Sequence, residues 1–227
     1  MSYAYIEKNL NEVRAEIAAA EAEAKRTGTA LIAAVKYATD EELEALLSLG
    51  VTDIGENRVQ QLLAHWDIAK AHNARVHFIG TLQRNKVKYI VDKVAAIHSV
   101  DSVALAEEIS RRAVAAERVI DVYVEVNIAG EESKSGVSVD GVEPLCRKIL
   151  SLPGLSLKGL MTMAPHCEDP ADYHRYFIKT RALAYGVWYA IGMQGHPALS
   201  MGMSESFTAA IAEGASAVRV GRRLFLK

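Results

Sequence analysis

Eight short apolar runs alternate with helical, charge-bearing segments along the 227 residues of the chain. The runs predict strands over Ala30–Tyr37, Thr52–Asn57, Arg75–Gly80, Ala95–Val100, Val119–Ile128, Ser156–Ala164, Ala198–Gly202 and Ala217–Gly221. The segments between them predict helices over Glu41–Leu49, Arg58–His72, Asn85–Lys93, Val103–Glu117, Gly141–Leu150, Ala171–Ala190 and Glu205–Glu213. Strands that alternate with helices pair in parallel, and nearly continuous apolar runs are typical of strands covered on both faces. The pattern therefore predicts an α/β protein with a parallel sheet.

A further amphipathic helix is predicted over Tyr3–Lys25, before the first strand. Eight strand–helix units close into a (β/α)8 barrel of TIM type at roughly 200–250 residues, and the leading helix can occupy the slot of a final helix. Since no linker divides the sequence, residues 1–227 are predicted to form a single domain. A doubly wound open sheet is the alternative, because alternation alone does not distinguish the two folds. No GxGxxG follows the first strand, which removes the commonest reason to prefer a dinucleotide-binding fold.

The charge and composition of the chain argue against several classes of protein. A formal net charge of -2, with basic residues scattered, provides no field that would gather nucleic acid or an anionic membrane. No apolar stretch is long enough to span a bilayer, and the first residues lack the apolar core of a signal peptide. Cys146 and Cys167 lie in unrelated contexts, as in a reducing compartment. We therefore expect a cytoplasmic protein with neither a nucleic-acid nor a membrane partner.

In a (β/α)8 barrel, function lies where the strands end, and Lys36 ends the first predicted strand. Strand alternation gives Lys36 the same facing as Ala34, so an inward Ala34 would place the ammonium inward too, partly removed from water. Partial removal from water favours the free amine, which condenses with an aldehyde. The alternative is a strand-end lysine whose ammonium reaches back to water.

The segment LSMGMSESF indicates an anion site at the end of the seventh strand. The strand ends at Ser200, Gly202 permits a tight turn, and Ser204 can cap the helix that Glu205 begins. Free N–H groups at a helix N-terminus beside hydroxyls form a ready anion site. An ordinary strand–turn–helix junction with a serine cap is the alternative.

The segment VRVGRRLF predicts a second half of that anion site. Alternation directs Arg219 and Gly221 toward the barrel axis, and the loops after the seventh and eighth strands are the usual phosphate site of such barrels. A buried arginine needs an acceptor, because its charge is not titrated away. Arg219 could instead satisfy a carboxylate such as Glu125, and the residues leave both readings open.

Two other groups of residues suggest rival functions. The segment from His166 to Asp169, with Asp172 and His174, contains metal-ligand types but no recognised ligand spacing, so we expect no metal site. The run of Arg84, Lys86 and Lys88 is better explained by a solvated helical turn than by nucleic-acid binding.

Seven segments together identify the family that this sequence resembles. In order, they are LIAAVKYA, DIGENRVQ, HFIGTLQRNK, IHSVDS, VEVNIAGEESKSGV, GLMTMAP and LSMGMSESFTAAIAEGASAVRVG, and they cover nearly the whole chain. The sequence resembles the pyridoxal phosphate homeostasis protein family, single-domain relatives of the N-terminal barrel of alanine racemase. The resemblance implies a fold-type III barrel that binds pyridoxal 5′-phosphate (PLP).

By this resemblance, Lys36 is the lysine that forms the Schiff base with PLP. Asn57 of the GEN motif is expected beside the cofactor, His77 near its ring, and Arg219 opposite the pyridine nitrogen. Lys134 matches a family lysine on a mobile loop over the site.

The resemblance also implies how the phosphate is held. Ser200 and the backbone of Met201 match the phosphate cradle, joined by the backbone N–H groups of Gly221 and Arg222. The sequence departs from the family at Arg222, where many relatives carry a threonine, and a guanidinium can make a stronger charge-assisted contact there. It also departs at Val35, where Ser or Thr is common, so one hydroxyl is lost.

A further question is whether the chain is an enzyme or a carrier. Alanine racemase takes its opposing tyrosine from a second domain, and this sequence stops at Lys227, shortly after the barrel. We therefore expect a non-catalytic, monomeric PLP carrier or buffer in vitamin B6 homeostasis, which releases PLP to apo-enzymes. A weak amino-acid racemase that recruits Lys134 or a tyrosine is the first alternative. A phosphate-binding regulator without covalent chemistry is the second.

Overall fold

The computed structural model describes residues 3–131 and 134–227, and in them eight parallel strands close into a barrel. The strands are β1 Ala30–Ala34, β2 Asp53–Glu56, β3 Arg75–Phe78, β4 Ala96–Val100, β5 Ile120–Val126, β6 Leu155–Thr162, β7 Ala198–Ser200 and β8 Ala217–Val220. Each strand pairs with its neighbours in chain order, and β8 pairs with β1 from Ala30 opposite Ala217 to Ala33 opposite Val220. The predicted (β/α)8 barrel is confirmed, and the open-sheet alternative is excluded because β1 and β8 are hydrogen-bonded.

Seven α-helices and two short 3-10 helices accompany the strands in the described part of the chain. The α-helices are α1 Ala4–Glu23, α2 Asp40–Ser48, α3 Val59–Ala71, α4 Val103–Ala115, α5 Val139–Leu150, α6 Asp172–Ala190 and α7 Phe207–Ala212. The 3-10 helices are Arg84–Tyr89 and Arg222–Phe225. Among these helices, none has the combination of length and apolar character that crossing a membrane requires.

The helix predicted over Asn85–Lys93 is wrong in type, because the structure has a 3-10 helix over Arg84–Tyr89. Val87 and Ile90 are fully buried, and the backbone N–H of Ile90 donates to the carbonyl of Val87 over 3.1 Å. A spacing of three residues suits the 3-10 helix, in which such side chains lie on one line. The β-branched side chains in this segment also disfavour a longer α-helix.

The leading helix α1 fills the gap in the helical ring between α7 and α2. Its buried side chains recur every three or four residues, as an amphipathic helix requires; they are Ile6, Leu10, Val13 and Ile17. The Arg223 guanidinium donates to Glu16 over 2.8 Å, and the Asn9 side chain donates to the carbonyl of Leu226 over 2.8 Å. The prediction that the leading helix takes the place of a final helix in the ring is confirmed.

The main hydrophobic core lies between the strands and the helices, whereas the barrel interior carries polar groups. Ala33 and Val35 belong to the outer core, and Ile32 and Ala34 alternate with them. The side chains of His98 on β4 and Ser200 on β7 are hydrogen-bonded to each other. Because these strands are not neighbours, the hydrogen bond must cross the barrel interior. Alternation therefore sorts each strand into a face toward the helices and a face toward the axis.

Candidate functional site

A cavity of about 490 Å³ opens where the strands end at their carboxyl side. The lining residues that follow strands are Lys36 after β1, Asn57 after β2, Ile79 after β3, Met163 after β6, Ser204 after β7 and Gly221 after β8. The carboxyl face is the end at which barrels of this type carry their functional sites. The cavity is therefore the candidate functional site.

Lys36 lies two residues beyond the last residue of β1, and its side chain lines the cavity together with Ala34. The shared facing predicted for these two residues is confirmed. The expected partial removal from water is wrong, because Lys36 stands at the mouth of the barrel and is exposed. Its Nζ lies 4.8 Å from the centroid of the Tyr37 ring. The Lys36 ammonium lowers the pKa of the Tyr37 hydroxyl, and the Arg222 guanidinium adds a smaller effect in the same direction.

Asn57 lines the cavity with an unsatisfied polar atom. Its Oδ1 is buried and has no hydrogen-bond partner among the described residues. Its backbone is held by close packing against Gly80, where a Cβ would lie 2.8 Å from the carbonyl carbon and the Cα of Asn57. Buried polar atoms in native proteins are nearly always paired, so this oxygen is available to a hydrogen-bond donor of a ligand.

Free backbone N–H groups gather at the β7–β8 side of the cavity. The four lining residues concerned are Ser204, Glu205, Gly221 and Arg222. Within residues 3–131 and 134–227, their N–H groups donate to no backbone or side-chain acceptor. Unpaired N–H groups that converge in turns after strands form an anion-binding concavity. Ser204 of the first predicted half of the anion site and Gly221 of the second thus line one cavity.

The structure places Ser200 and Met201 behind this cavity rather than in its lining. Ser200 is fully buried, and its Oγ lies 2.9 Å from Nδ1 of His98. The Met201 N–H donates to the carbonyl of Ala217 over 3.1 Å, so barrel pairing already uses it. Ser204 does not cap a helix as predicted, since α7 begins only at Phe207, after Ser206. Ser204 instead lines the cavity, and its place directly after the Gly202 turn is the signal in the sequence that indicates this.

A line of polar side chains crosses the barrel interior below the cavity, and we call it the interior relay. Its members are Asp53, His77, His98, Ser200 and Arg219. His77, expected near the cofactor ring, lies within this relay and outside the described cavity lining. Arg219 belongs to both the relay and the lining, so it connects the interior with the cavity.

Arg219 finds its acceptors in the barrel wall. One guanidinium nitrogen donates to Ser200 Oγ over 2.8 Å and another to the carbonyl of Thr162 over 2.9 Å. No ion pair of Arg219 with a carboxylate occurs in the part of the chain that the structure describes, so Glu125 is not its direct partner. Burial lowers the pKa of Arg219 to about 10, and it remains charged at neutral pH.

Glu125 is a buried carboxyl group whose charge is costly. Burial, and then the charge of Asp101, raises its pKa from 4.5 to about 7 against the opposing effect of Arg219. Because folding raises this pKa, Glu125 contributes stability below the unfolded pKa of 4.5, and that contribution is lost as the pH rises through about 7.

The Glu125→Gln variant should therefore gain stability relative to the wild type as the pH rises. We expect the difference in free energy of unfolding to grow by about 2–3 kcal/mol between about pH 5 and about pH 8. Urea denaturation at the two pH values measures it, with Glu23→Gln on the exposed end of α1 as the control. A difference that does not change with pH would contradict the assignment.

The other residues singled out in the sequence lie outside the cavity lining or at its rim. Lys134 pairs with Glu131 at 3.3 Å and is absent from the described lining. His166 lines the cavity and lies 3.6 Å from Glu205. In the described residues, no three His, Cys, Asp or Glu side chains are arranged to hold a metal ion.

Comparison with known proteins defines the class of this barrel and then its family. The family model for the alanine racemase N-terminal domain matches residues 8–226. The pyridoxal phosphate homeostasis protein of Aquifex aeolicus is 43% identical over 197 residues, which cover 86% of this chain and 85% of that protein. The chain belongs to the pyridoxal phosphate homeostasis protein family, which confirms the resemblance drawn from the seven segments.

Solved structures extend the comparison to the fold. A crystal structure described as that of an unknown protein from Bifidobacterium adolescentis is 37% identical with a TM-score of 0.89, over 98% of this chain and 95% of that one. PipY of Synechococcus elongatus PCC7942, solved with PLP bound, is 28% identical with a TM-score of 0.86, over 97% of this chain and 100% of that one. The same barrel therefore carries PLP in PipY.

Proposed function

We propose that this chain binds PLP in the cavity, holds it as a Schiff base on Lys36, and serves as a carrier or buffer in vitamin B6 homeostasis. The observation that carries the proposal is one cavity lined both by Lys36 and by four residues whose backbone N–H groups have no acceptor among the described residues. When bound, PLP supplies an aldehyde carbon with which a lysine amine condenses as one water is lost. We place this role in the cytoplasm, with the chain acting as a monomer and PLP-dependent apo-enzymes as recipients.

The N–H groups after β7 and β8 would hold the phosphate. Gly221 packs closely against β1, since a Cβ there would lie 2.9 Å from the carbonyl oxygen of Ala34, so this strand end accommodates no side chain. The hydroxyl of Ser204 and the guanidinium of Arg222 line the same end. Backbone N–H donors, a hydroxyl and a guanidinium are groups that bind a phosphate.

The remaining lining residues would hold the ring. The unpaired Oδ1 of Asn57 accepts a hydrogen bond from a ligand, and Arg219 presents a cation at the floor of the cavity. A cation opposite the ring nitrogen disfavours its protonation, which weakens the electron withdrawal that amino-acid chemistry needs. This effect is only a secondary argument for a carrier role.

The absorption spectrum of the purified protein tests the proposal. After incubation with PLP, we expect a visible band that borohydride bleaches, and peptide mass spectrometry should place the reduced label on Lys36. Incubation with alanine or serine in deuterated water should give no exchange of the α-hydrogen at an enzyme-like rate. A colourless protein would contradict PLP binding, and rapid exchange would contradict the carrier role and favour a racemase.

Arg222→Thr should weaken PLP binding without abolishing it. Removing the guanidinium leaves the N–H donors in place, so we expect the dissociation constant to rise by about five- to tenfold and to depend less on salt. Titration followed at the visible band measures both effects. Arg175→Thr, which removes an exposed arginine from α6, is the matched control and should bind PLP as the wild type does. Equal affinity and salt dependence in both variants would refute a phosphate contact by Arg222.

A further inference from the structure

The interior relay is continuous from β2 to β8. His77 Nε2 lies 2.8 Å from Asp53 Oδ1, and His77 Nδ1 lies 3.0 Å from His98 Nε2. His98 Nδ1 lies 2.9 Å from Ser200 Oγ, which accepts from Arg219 over 2.8 Å. All these side chains except Asp53 belong to buried residues, so bulk water does not compete for their hydrogen bonds.

The charged ends of the relay fix its donors and acceptors. Arg219 can only donate, and it donates to Ser200 Oγ. Burial alone would raise the pKa of Asp53, but hydrogen bonds from His77 and Thr52 lower it, so Asp53 is an ionised acceptor. His77 must therefore donate from Nε2 to Asp53.

The groups between these ends have one arrangement in which every hydrogen is used. If both imidazoles are neutral, His77 Nδ1 accepts from Nε2–H of His98, and His98 Nδ1 accepts from the hydroxyl of Ser200. Each link then has one donor and one acceptor, and all the bonds point from Arg219 toward Asp53. Burial above all holds the pKa of His98 well below its usual range, which agrees with a neutral ring.

The reverse arrangement leaves a buried hydrogen unpaired. It requires a doubly protonated His77 and a His98 that donates from Nδ1 to Ser200. Ser200 Oγ would then accept twice, and its own hydrogen would have no acceptor among the described residues. It would also add a second positive charge to an interior that already holds Arg219. The reverse arrangement is disfavoured on both counts.

We propose that Asp53, His77 and His98 are positioning residues, which form with Ser200 a one-directional hydrogen-bond relay that holds Arg219 at the floor of the cavity. The relay turns the Ser200 hydroxyl hydrogen toward His98, so that the Ser200 oxygen accepts from Arg219, which also lines the cavity. The role of the relay in ligand binding rests on the proposed function, since the Arg219 guanidinium would contact the PLP ring. Asp53, at the opposite end of the barrel, thus contributes to cofactor binding without touching the cofactor.

Imidazole NMR on the ligand-free wild-type protein tests the direction of the relay. Long-range ¹H–¹⁵N correlation spectra near neutral pH distinguish the two neutral tautomers and the protonated ring, with His77→Gln and His98→Gln providing the assignments. We expect Nε2–H tautomers for both histidines. A Nδ1–H tautomer of His98, or a doubly protonated His77, would overturn the proposal. The NMR measurement needs no PLP. A protein that stays colourless with PLP would therefore refute the proposed function, while the NMR spectra would still decide the direction of the relay.

Two substitutions at Asp53 test the positioning role. Asp53→Asn keeps an acceptor for His77 and should bind PLP within about twofold of the wild type, whereas Asp53→Leu removes it and should weaken binding about tenfold and shift the visible band. Asp121→Leu, which removes a half-buried carboxylate paired with Lys158 on β6, is the control. Equal affinity and spectra for both Asp53 variants would overturn the positioning role.

Ser200→Ala provides a second test if Asp53→Leu does not fold. This substitution breaks the relay inside the barrel and should give the same weakening of PLP binding. Wild-type affinity in Ser200→Ala would overturn the positioning role as well.

Discussion

Lys36→Ala is expected to abolish the visible band that forms with PLP and the label that borohydride fixes. The amine is the only part of the proposed site that can bond covalently to an aldehyde carbon at this position, and alanine cannot replace it. The N–H groups after β7 and β8 remain, so weak binding through the phosphate should persist. Absorption spectra and intact-mass measurement after reduction, made on the wild type and the variant in parallel, report the loss.

Two control variants separate the covalent role of Lys36 from its charge. Lys36→Arg keeps a cation at the mouth of the cavity but cannot condense at neutral pH, so it should also lack the band. Lys134→Ala removes a lysine that pairs with Glu131 and should retain the band and the label. A reduced label that survives in Lys36→Ala would place the covalent chemistry on another residue and refute the assignment.

Gly80→Ala is expected to lower the free energy of unfolding by about 2–4 kcal/mol and to disturb the site. The added Cβ would lie 2.8 Å from two backbone atoms of Asn57, in the short connection between β2 and α3, and a backbone fixed between two such elements does not move away easily. Because Asn57 carries the unpaired Oδ1 in the cavity, we also expect weaker PLP binding. Urea denaturation and PLP titration measure the two effects.

Gly186→Ala is the matched control for this substitution. Gly186 lies on the exposed side of α6, and a Cβ there would meet no atom within 4 Å. Alanine favours a helix over glycine, so this variant should be more stable by about 0.5–1 kcal/mol and bind PLP normally. If Gly80→Ala were as stable as the wild type, the close packing between Gly80 and Asn57 would not be a constraint on the fold.

The sequence was sufficient to predict the barrel because its signals are local. Each buried strand appears as an apolar run, and the alternation with helices restricts the topology. Local patterns were less informative at short elements: the 3-10 helix at Arg84–Tyr89 was predicted as an α-helix, and α7 was predicted to begin at Glu205 instead of Phe207. Both are segments in which only one or two turns form, so packing outweighs propensity.

The site was predicted only in part, because the sequence does not show contacts that form across the barrel. Lys36 and Gly221 follow strands, so their position at the carboxyl face could be derived from strand ends alone. The partners of Ser200 could not, because His98 comes from β4, on the far side of the interior. In the sequence, His98 stands within an apolar run and carries no sign of the Ser200 hydroxyl 102 residues later. Only closure of the barrel brings the two together.

The pairing of β1 with β8, and of α1 with α7, has a consequence for biosynthesis. These contacts join segments separated by most of the chain, and loop closure over such a distance is slow. During synthesis β1 emerges from the ribosome long before β8. Until β8 emerges, the edge of β1 is unpaired, and an unpaired strand edge can associate with other chains. Co-translational folding of this protein should therefore finish late, once β8 and the segment after it have left the exit tunnel.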